Sequence, residues 1–247
     1  MAFATSWRAV PETSPAPRLA VFTYDRAGLA HVQRCVRLLR AVAERAPDSA
    51  LLLVTGAPAW PLLGDLPVNA DCVKIPACAD GGHEDGRAPR LPLPPTETTR
   101  LRARLIEEAV LGFTPDVLLV DNAPLGARRE LLPVLEAVPW LGTRRVLGLA
   151  DLPDPPEVVR ADWTRQQVYE VLESGYDHIL VYGVRAVFDV VDAYGFPESV
   201  AAKTRYCGYV SERGTGGDAL DLDGVARVAG HLLELAAQRP EVAHVDR

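Results

Sequence analysis

Short apolar runs alternating with stretches of helical periodicity constrain this chain more than any other feature. The runs are LAVFTY (19–24), ALLLVTG (50–56), DCVKIP (71–76), DVLLVD (116–121), RRVLGLA (144–150), HILVYG (178–183) and TRYCGY (204–209). Several are almost continuously apolar instead of alternating, the pattern of strands covered on both faces. Helical spacing recurs over 28–45, 96–112, 127–138, 156–174 and 222–238. Such alternation implies crossover connections and a parallel sheet. The sequence therefore predicts an α/β, Rossmann-like, doubly wound and mainly parallel sheet of about seven strands. At 247 residues the chain is long enough for one such domain with extensions.

The ends and breaks give the domain organisation. Residues 1–17 read as a Pro-rich flexible arm without a signal-peptide core. Residues 18–210 hold the strand–helix rhythm, 211–219 (SERGTGGDA) read as a linker, and 220–240 as a final helix returning to the same domain. On that helix Val225, Val228, Leu232 and Leu235 are spaced to bury one face. Within the main body, ACADGGHEDGRAPRLPLPP (77–95) is a long Gly- and Pro-rich connection. Loops of that length in compact domains are functional lids or disordered.

A net charge of −7 argues against a nucleic-acid backbone as the main ligand. No apolar run approaches the ~20 residues that span a bilayer. The four cysteines, Cys35, Cys72, Cys78 and Cys207, form no CxxC pair and read as free thiols in a reducing cytoplasm, not as a metal site.

In an open parallel sheet, ligands bind beyond the carboxyl ends of the strands. This rule places Asp25, Gly28 and His31 after the first strand, Asp121 and Asn122 after the fourth, and Asp151 after the fifth around one cleft. A carboxylate or imidazole there can take a proton from an attacking hydroxyl. Each has a structural alternative: Asp25 as an Asx-turn residue, Asp121 as a cap, Asp151 as part of a helix start. His83 and Glu84 in the long loop are candidate ligands or simply solvated. GxGxxG, P-loop, GxSxG and HExxH motifs are absent, which disfavours dinucleotide enzymes, nucleotide-triphosphate enzymes, α/β-hydrolases and zinc proteases.

TYDRAGLAHVQR, LLLVTGAP, PDVLLVDNAPLG, RRVLGLADLPDPPEVVRADW, YDHILVYG and TRYCGYV, in that order, resemble bacterial predicted glycosyltransferases of the GT-B type, relatives of the MurG-like N-acetylglucosaminyltransferases. The resemblance covers roughly residues 18–210 and implies the acceptor-binding N-terminal domain of a two-domain enzyme. It further implies that the donor-binding domain is missing, because the chain passes after Val210 through a short linker into a helix like the family's last one. Three positions depart from the family pattern. Ala30 stands where Gly-x-Gly-His has its second glycine, Asn122 where a lysine commonly follows the strand-four aspartate, and Ala150 where an arginine precedes Asp151.

The resemblance implies His31 or Asp121 as catalytic base, no metal, and an acceptor site drawn from Asp25, Gly28, Asn122, Asp151 and His83. It implies no cofactor, with a UDP-sugar or other nucleotide-sugar as donor only when a partner domain holds it. The expected partners are a small-molecule acceptor, a separate donor-domain protein or an active homologue, and a homo- or hetero-oligomeric state. The alternative is a non-catalytic homologue, binding a small molecule or protein as an auxiliary module.

Overall fold

The computed structural model describes residues 16–23, 30–57, 65–77, 91–150, 154–210 and 223–238. Seven strands form one sheet: β1 (Arg18–Thr23), β2 (Ala50–Thr55), β3 (Ala70–Lys74), β4 (Val117–Asp121), β5 (Arg144–Leu149), β6 (His178–Val181) and β7 (Thr204–Tyr206). Their order is β3-β2-β1-β4-β5-β6-β7, and every pairing is parallel. The order reverses between β1 and β4, which opens a crevice beyond their carboxyl ends.

Alternate residues of each strand feed two separate cores. Leu19, Val21, Leu119 and Val146 face α1 (Ala30–Arg45) and α8 (Gly224–Ala237). Ala20, Phe22, Val120 and Leu147 face the other layer. That layer comprises α2 (Pro95–Phe113), α3 (Leu132–Ala137), α4 (Pro156–Arg165), α5 (Val168–Gly175), α6 (Val190–Ala193) and α7 (Glu198–Ala202). Burial on both sides explains why the strands read as continuous apolar runs. Prolines at the first helical position start α2 and α4, where a missing N–H costs nothing. Among the described residues no helix is long and apolar enough to cross a membrane.

Three helical spans differ from the sequence reading. The span 156–174 is two helices, because Gln167 adopts φ 56° and turns the chain between α4 and α5. The span 127–138 becomes helical only from Leu132 and continues as a 3-10 turn at Val138–Leu141. Between β6 and β7, where the sequence reading placed no helix, lie α6 and α7. Asp189 caps α6 by accepting from the Val191 N–H at 3.1 Å, and Pro197 precedes α7.

Helix α8 returns to the sheet and packs on α1, burying Val228, Ala229, Leu232, Leu235 and Ala236. Val225, expected on the buried face, packs at its margin. Only residues 211–222 connect Val210 to Asp223, too few for a second α/β unit at that point. The docking is close: a Cβ on Gly224 would lie 2.4 Å from the Gly208 carbonyl oxygen and 2.6 Å from that of Tyr209. Main chain cannot swing aside as a side chain can. Gly224→Ala is therefore expected to cost about 1–3 kcal/mol of stability, read from the denaturation midpoint. An unchanged midpoint would mean that α8 seats differently.

Candidate functional site

The crevice between β1 and β4 brings three charged or titratable side chains together. Asp121 ends β4 and is fully buried. His31 occupies the second position of α1, and Arg34 lies one turn further on the same face. His31 Nδ1 is 2.8 Å from Asp121 Oδ2. Arg34 binds the same carboxylate through both edges, Nε to Oδ1 at 2.9 Å and Nη2 to Oδ2 at 3.1 Å.

Arg34 Nη2 also approaches His31 Nδ1 at 2.9 Å, so the ring nitrogen has two claimants and one role. An unprotonated Nδ1 would set its lone pair against a carboxylate lone pair at 2.8 Å. We therefore assign the proton to Nδ1, which donates to Asp121, while Arg34 donates to the carboxylate. With the proton on Nδ1, Nε2 is the ring nitrogen that can act as a base.

The pair is held from beneath. Burial opposes the Arg34 charge, but the facing Asp121 carboxylate outweighs it and the guanidinium is held charged more firmly than usual. Its plane lies over the Tyr182 ring, 5.1 Å from the centroid. Tyr182 fits because β5 offers glycine there: a Cβ on Gly148 would meet the Tyr182 hydroxyl at 1.7 Å. Gly148 is also the register partner of Asp121. The Tyr182 hydroxyl is buried with no hydrogen-bond partner among the described residues. Burial first, then the Asp121 charge, push its pKa far up, so it stays protonated. Because the hydroxyl forms no bond there, Tyr182→Phe is expected to be neutral or to stabilise by about 1 kcal/mol, as measured in urea. A clear loss would show that the hydroxyl has a partner.

His31, Arg34 and Asn122 line a cavity of about 630 Å³, whose other walls are the 123–127 loop and α4. The wall is mixed: Val158, Val159 and Trp163 are apolar, whereas Asp154, Asp162 and Gln166 are polar. Gln166 Nε2 donates to Asp162 at 2.6 Å, and Arg165 also pairs with that carboxylate. Trp163 is packed edge-on to Tyr169, 5.8 Å between centroids, and lies almost parallel to Phe196 at 6.0 Å.

The loop that forms the near wall is stapled from below. Arg102 and Glu130 are both fully buried and pair at 2.7 Å. Glu130 also accepts from the backbone N–H groups of Ala127 at 3.1 Å and Arg128 at 2.6 Å. Gly126, at φ 76°, has the glutamate within 3 Å of where a Cβ would stand. The Tyr176 hydroxyl completes the anchorage, donating to the Pro124 carbonyl at 2.7 Å.

Of the residues singled out in the sequence, His31 and Asp121 are in direct contact. Asn122 lines the cavity and also ties two strand ends together. At φ 60°, its Oδ1 accepts from the Ala150 N–H at 2.8 Å and its own N–H donates to the Gly148 carbonyl at 2.7 Å. Asp25, Gly28, His83, Glu84 and Asp151 lie outside the described residues. So do Cys78, most of the 77–95 connection, the 211–219 linker and nearly all of the N-terminal arm. Cys35, Cys72 and Cys207 are free thiols. Burial, reinforced by Asp121, pushes the Cys35 thiol well up, so it is no nucleophile. Sequence reasoning missed Arg34, although its spacing of three from His31 was readable. It also missed Trp163 and Asp162 as cavity wall.

No protein-family model matches the chain, and no curated protein does. Solved structures do. A UGT transferase from Siraitia grosvenorii, crystallised with UDP, superposes with a TM-score of 0.50 at 11% identity, over 81% of this chain and 52% of that one. The fold is GT-B-like. A UDP-N-acetylglucosamine 2-epimerase from Rickettsia bellii matches at TM-score 0.47 and 14% identity, over 79% of this chain and 46% of that one. A sucrose-phosphate synthase fragment from Thermosynechococcus elongatus matches at TM-score 0.48 and 12% identity, over 90% and 98% of the respective chains. This chain thus spans about half the length of the first two of these neighbours.

Proposed function

We propose that this chain is the acceptor-binding half of a GT-B glycosyltransferase of MurG-like type, working in the cytoplasm with a separate donor-domain chain. The observation that carries the reading is the contact of His31 Nδ1 with Asp121 Oδ2, 2.8 Å, with His31 lining the switch-point cavity. In an inverting transfer, His31 Nε2 takes the proton of an acceptor hydroxyl as its oxygen attacks the anomeric carbon of the donor. The bond from that carbon to the nucleoside diphosphate breaks on the opposite face. Asp121 stabilises the imidazolium that forms and keeps the ring in its tautomer. The cavity's apolar α4 wall accommodates a small-molecule acceptor, with Asn122 at its edge.

The departing diphosphate needs cations or helix N-termini to receive it. Among the described residues lining the cavity, Arg34 is the only lysine or arginine, and it is committed to Asp121. Asn122 and Ala150 occupy positions where the resembled family carries cations. These features favour a donor site supplied in trans, in a hetero-oligomer, with a UDP-sugar or related nucleotide-sugar as donor. Calorimetric titration of UDP into the isolated chain is expected to show no saturable binding. Tight one-to-one binding with turnover would overturn the partner requirement.

One observation favours a second reading. Arg34 engages both oxygens of Asp121, which leaves the carboxylate less free charge with which to support an imidazolium. A non-catalytic auxiliary module, built on the same cavity and stabilising an active homologue, is the alternative. The two readings separate at His31. A half-enzyme loses turnover when the imidazole is removed, whereas an auxiliary module stimulates its partner as before.

A further inference from the structure

At the opposite end of the sheet from Asp121, β6 and β7 begin beneath α8. His178 opens β6, Lys203 and Arg205 flank the start of β7, and His231 comes down from α8. With Leu180 they line a cavity of about 380 Å³. Register explains the convergence: Leu180 pairs with Arg205, so His178, Leu180 and Arg205 share the sheet face that α8 covers. We propose that this corner is a binding site for a phosphate-type dianion, free or carried on a small monoester.

Three observations support it. First, the basic side chains of this corner are gathered here instead of spread. The two imidazole rings lie edge to face, 5.6 Å between centroids, and Arg205 Nη1 donates to His231 Nδ1 at 3.2 Å. Second, neither ring nitrogen of His178 has a hydrogen-bond partner among the described residues, although the side chain is half-buried beside the cavity. Third, the flanking charged groups are already engaged. Lys203 Nζ is held by two backbone carbonyls, those of Glu173 and Tyr176, each at 2.7 Å. Asp177, which acts on His178 and Lys203, pairs with Arg145 at 2.9 Å; Glu173 also acts on Lys203, and Glu234 reaches His231 at 3.4 Å. A dianion would accept N–H bonds from His178, His231 and Arg205.

Both histidines titrate below the usual range. For His178 burial is the main cause, then the His231 ring, with Arg144 and Arg205 adding to it and Asp177 opposing. For His231 burial again leads, followed by Arg205, with Glu234 opposing. A histidine depressed in the folded state stabilises the fold above about pH 6.5, and that contribution is lost as pH falls. Phosphate, by accepting from the protonated rings, reverses the loss. The dianion is itself protonated below about pH 6 to 7, so its binding is expected to be stronger at about pH 6.5 than at about pH 8 and to fall again on further acidification. The site does not depend on the glycosyltransferase reading.

The test uses the full chain, inorganic phosphate, glucose 6-phosphate and a chloride control of equal ionic strength, at about pH 8 and about pH 6.5, with affinities compared per dianion. Imidazole Cε1–H resonances follow His178 and His231, and thermal unfolding gives an independent affinity. Phosphate is expected to raise both histidine midpoints and to raise the melting temperature more at the lower pH. Glucose 6-phosphate matching phosphate assigns a monoester; phosphate alone acting assigns the free ion. Arg205→Gln, on an exposed side chain, and His178→Gln should each weaken binding roughly tenfold or more without altering the fold. Histidine midpoints unmoved by phosphate, or equal affinity in Arg205→Gln, would overturn the proposal.

Discussion

Replacing Arg102 by methionine is expected to destabilise the protein by about 3–5 kcal/mol. The side chain is fully buried between α2 and the loop before α3, 2.7 Å from a Glu130 carboxylate that is itself fully buried. Methionine fills much of the volume but leaves that carboxylate in a dry interior without its cation. Two backbone N–H groups, from Ala127 and Arg128, remain as its partners. They compensate only part of the charge. The double variant Arg102→Met, Glu130→Leu removes the stranded charge and should recover part of the loss, since an apolar pair in place of a buried ion pair is often neutral. Urea denaturation of the four corners of this cycle measures the coupling. A single variant as stable as the parent would contradict the burial of the pair. Because the 123–127 loop walls the cavity, the same variant should also disturb the site.

The second large effect concerns His31. With the donor chain supplied, His31→Ala is expected to lower turnover by about 10²–10⁴-fold, the range that a positioned general base contributes. Stability should change little, since His31 is on the first turn of α1 with its ring partly open to solvent. His31→Gln keeps a donor toward Asp121 but no base, and should be as slow as the alanine variant. Full activity in the glutamine variant would assign His31 a hydrogen-bonding role and shift the chemistry elsewhere.

The sheet was legible because burial on both faces writes itself into composition. Residues 116–121 read as a strand, and Val117–Asp121 form β4 without an exposed residue. The return of α8 was legible for a related reason: a stripe of Val228, Leu232 and Leu235 must be covered by something. Helix breaks were less visible. The turn at Gln167 uses a left-handed backbone in a residue that announces no turn, and tertiary packing of Val168 and Leu172 overrides the local preference. The short helices α6 and α7 carry too few residues to show a period, although Asp189 and Pro197 marked their starts.

At the site, position was legible and partnership was not. His31 and Asp121 follow from the rule about strand ends, because both sit where the sheet order reverses. That Arg34 would claim both oxygens of Asp121 is a matter of side-chain reach, which spacing alone leaves open. Asn122 looked like a replaced cation; the structure gives it an additional architectural task at the strand ends.

The central claim is that His31 and Asp121 deprotonate an acceptor hydroxyl when a separate chain presents the sugar nucleotide. The most direct measurement follows transfer of labelled sugar from UDP-sugar into acceptors in a host extract from which this chain has been depleted. Purified wild-type chain is expected to restore transfer, His31→Ala to restore none, and either chain alone with UDP-sugar to yield no product. Equal restoration by wild type and His31→Ala, or turnover by the wild-type chain on its own, would contradict the account.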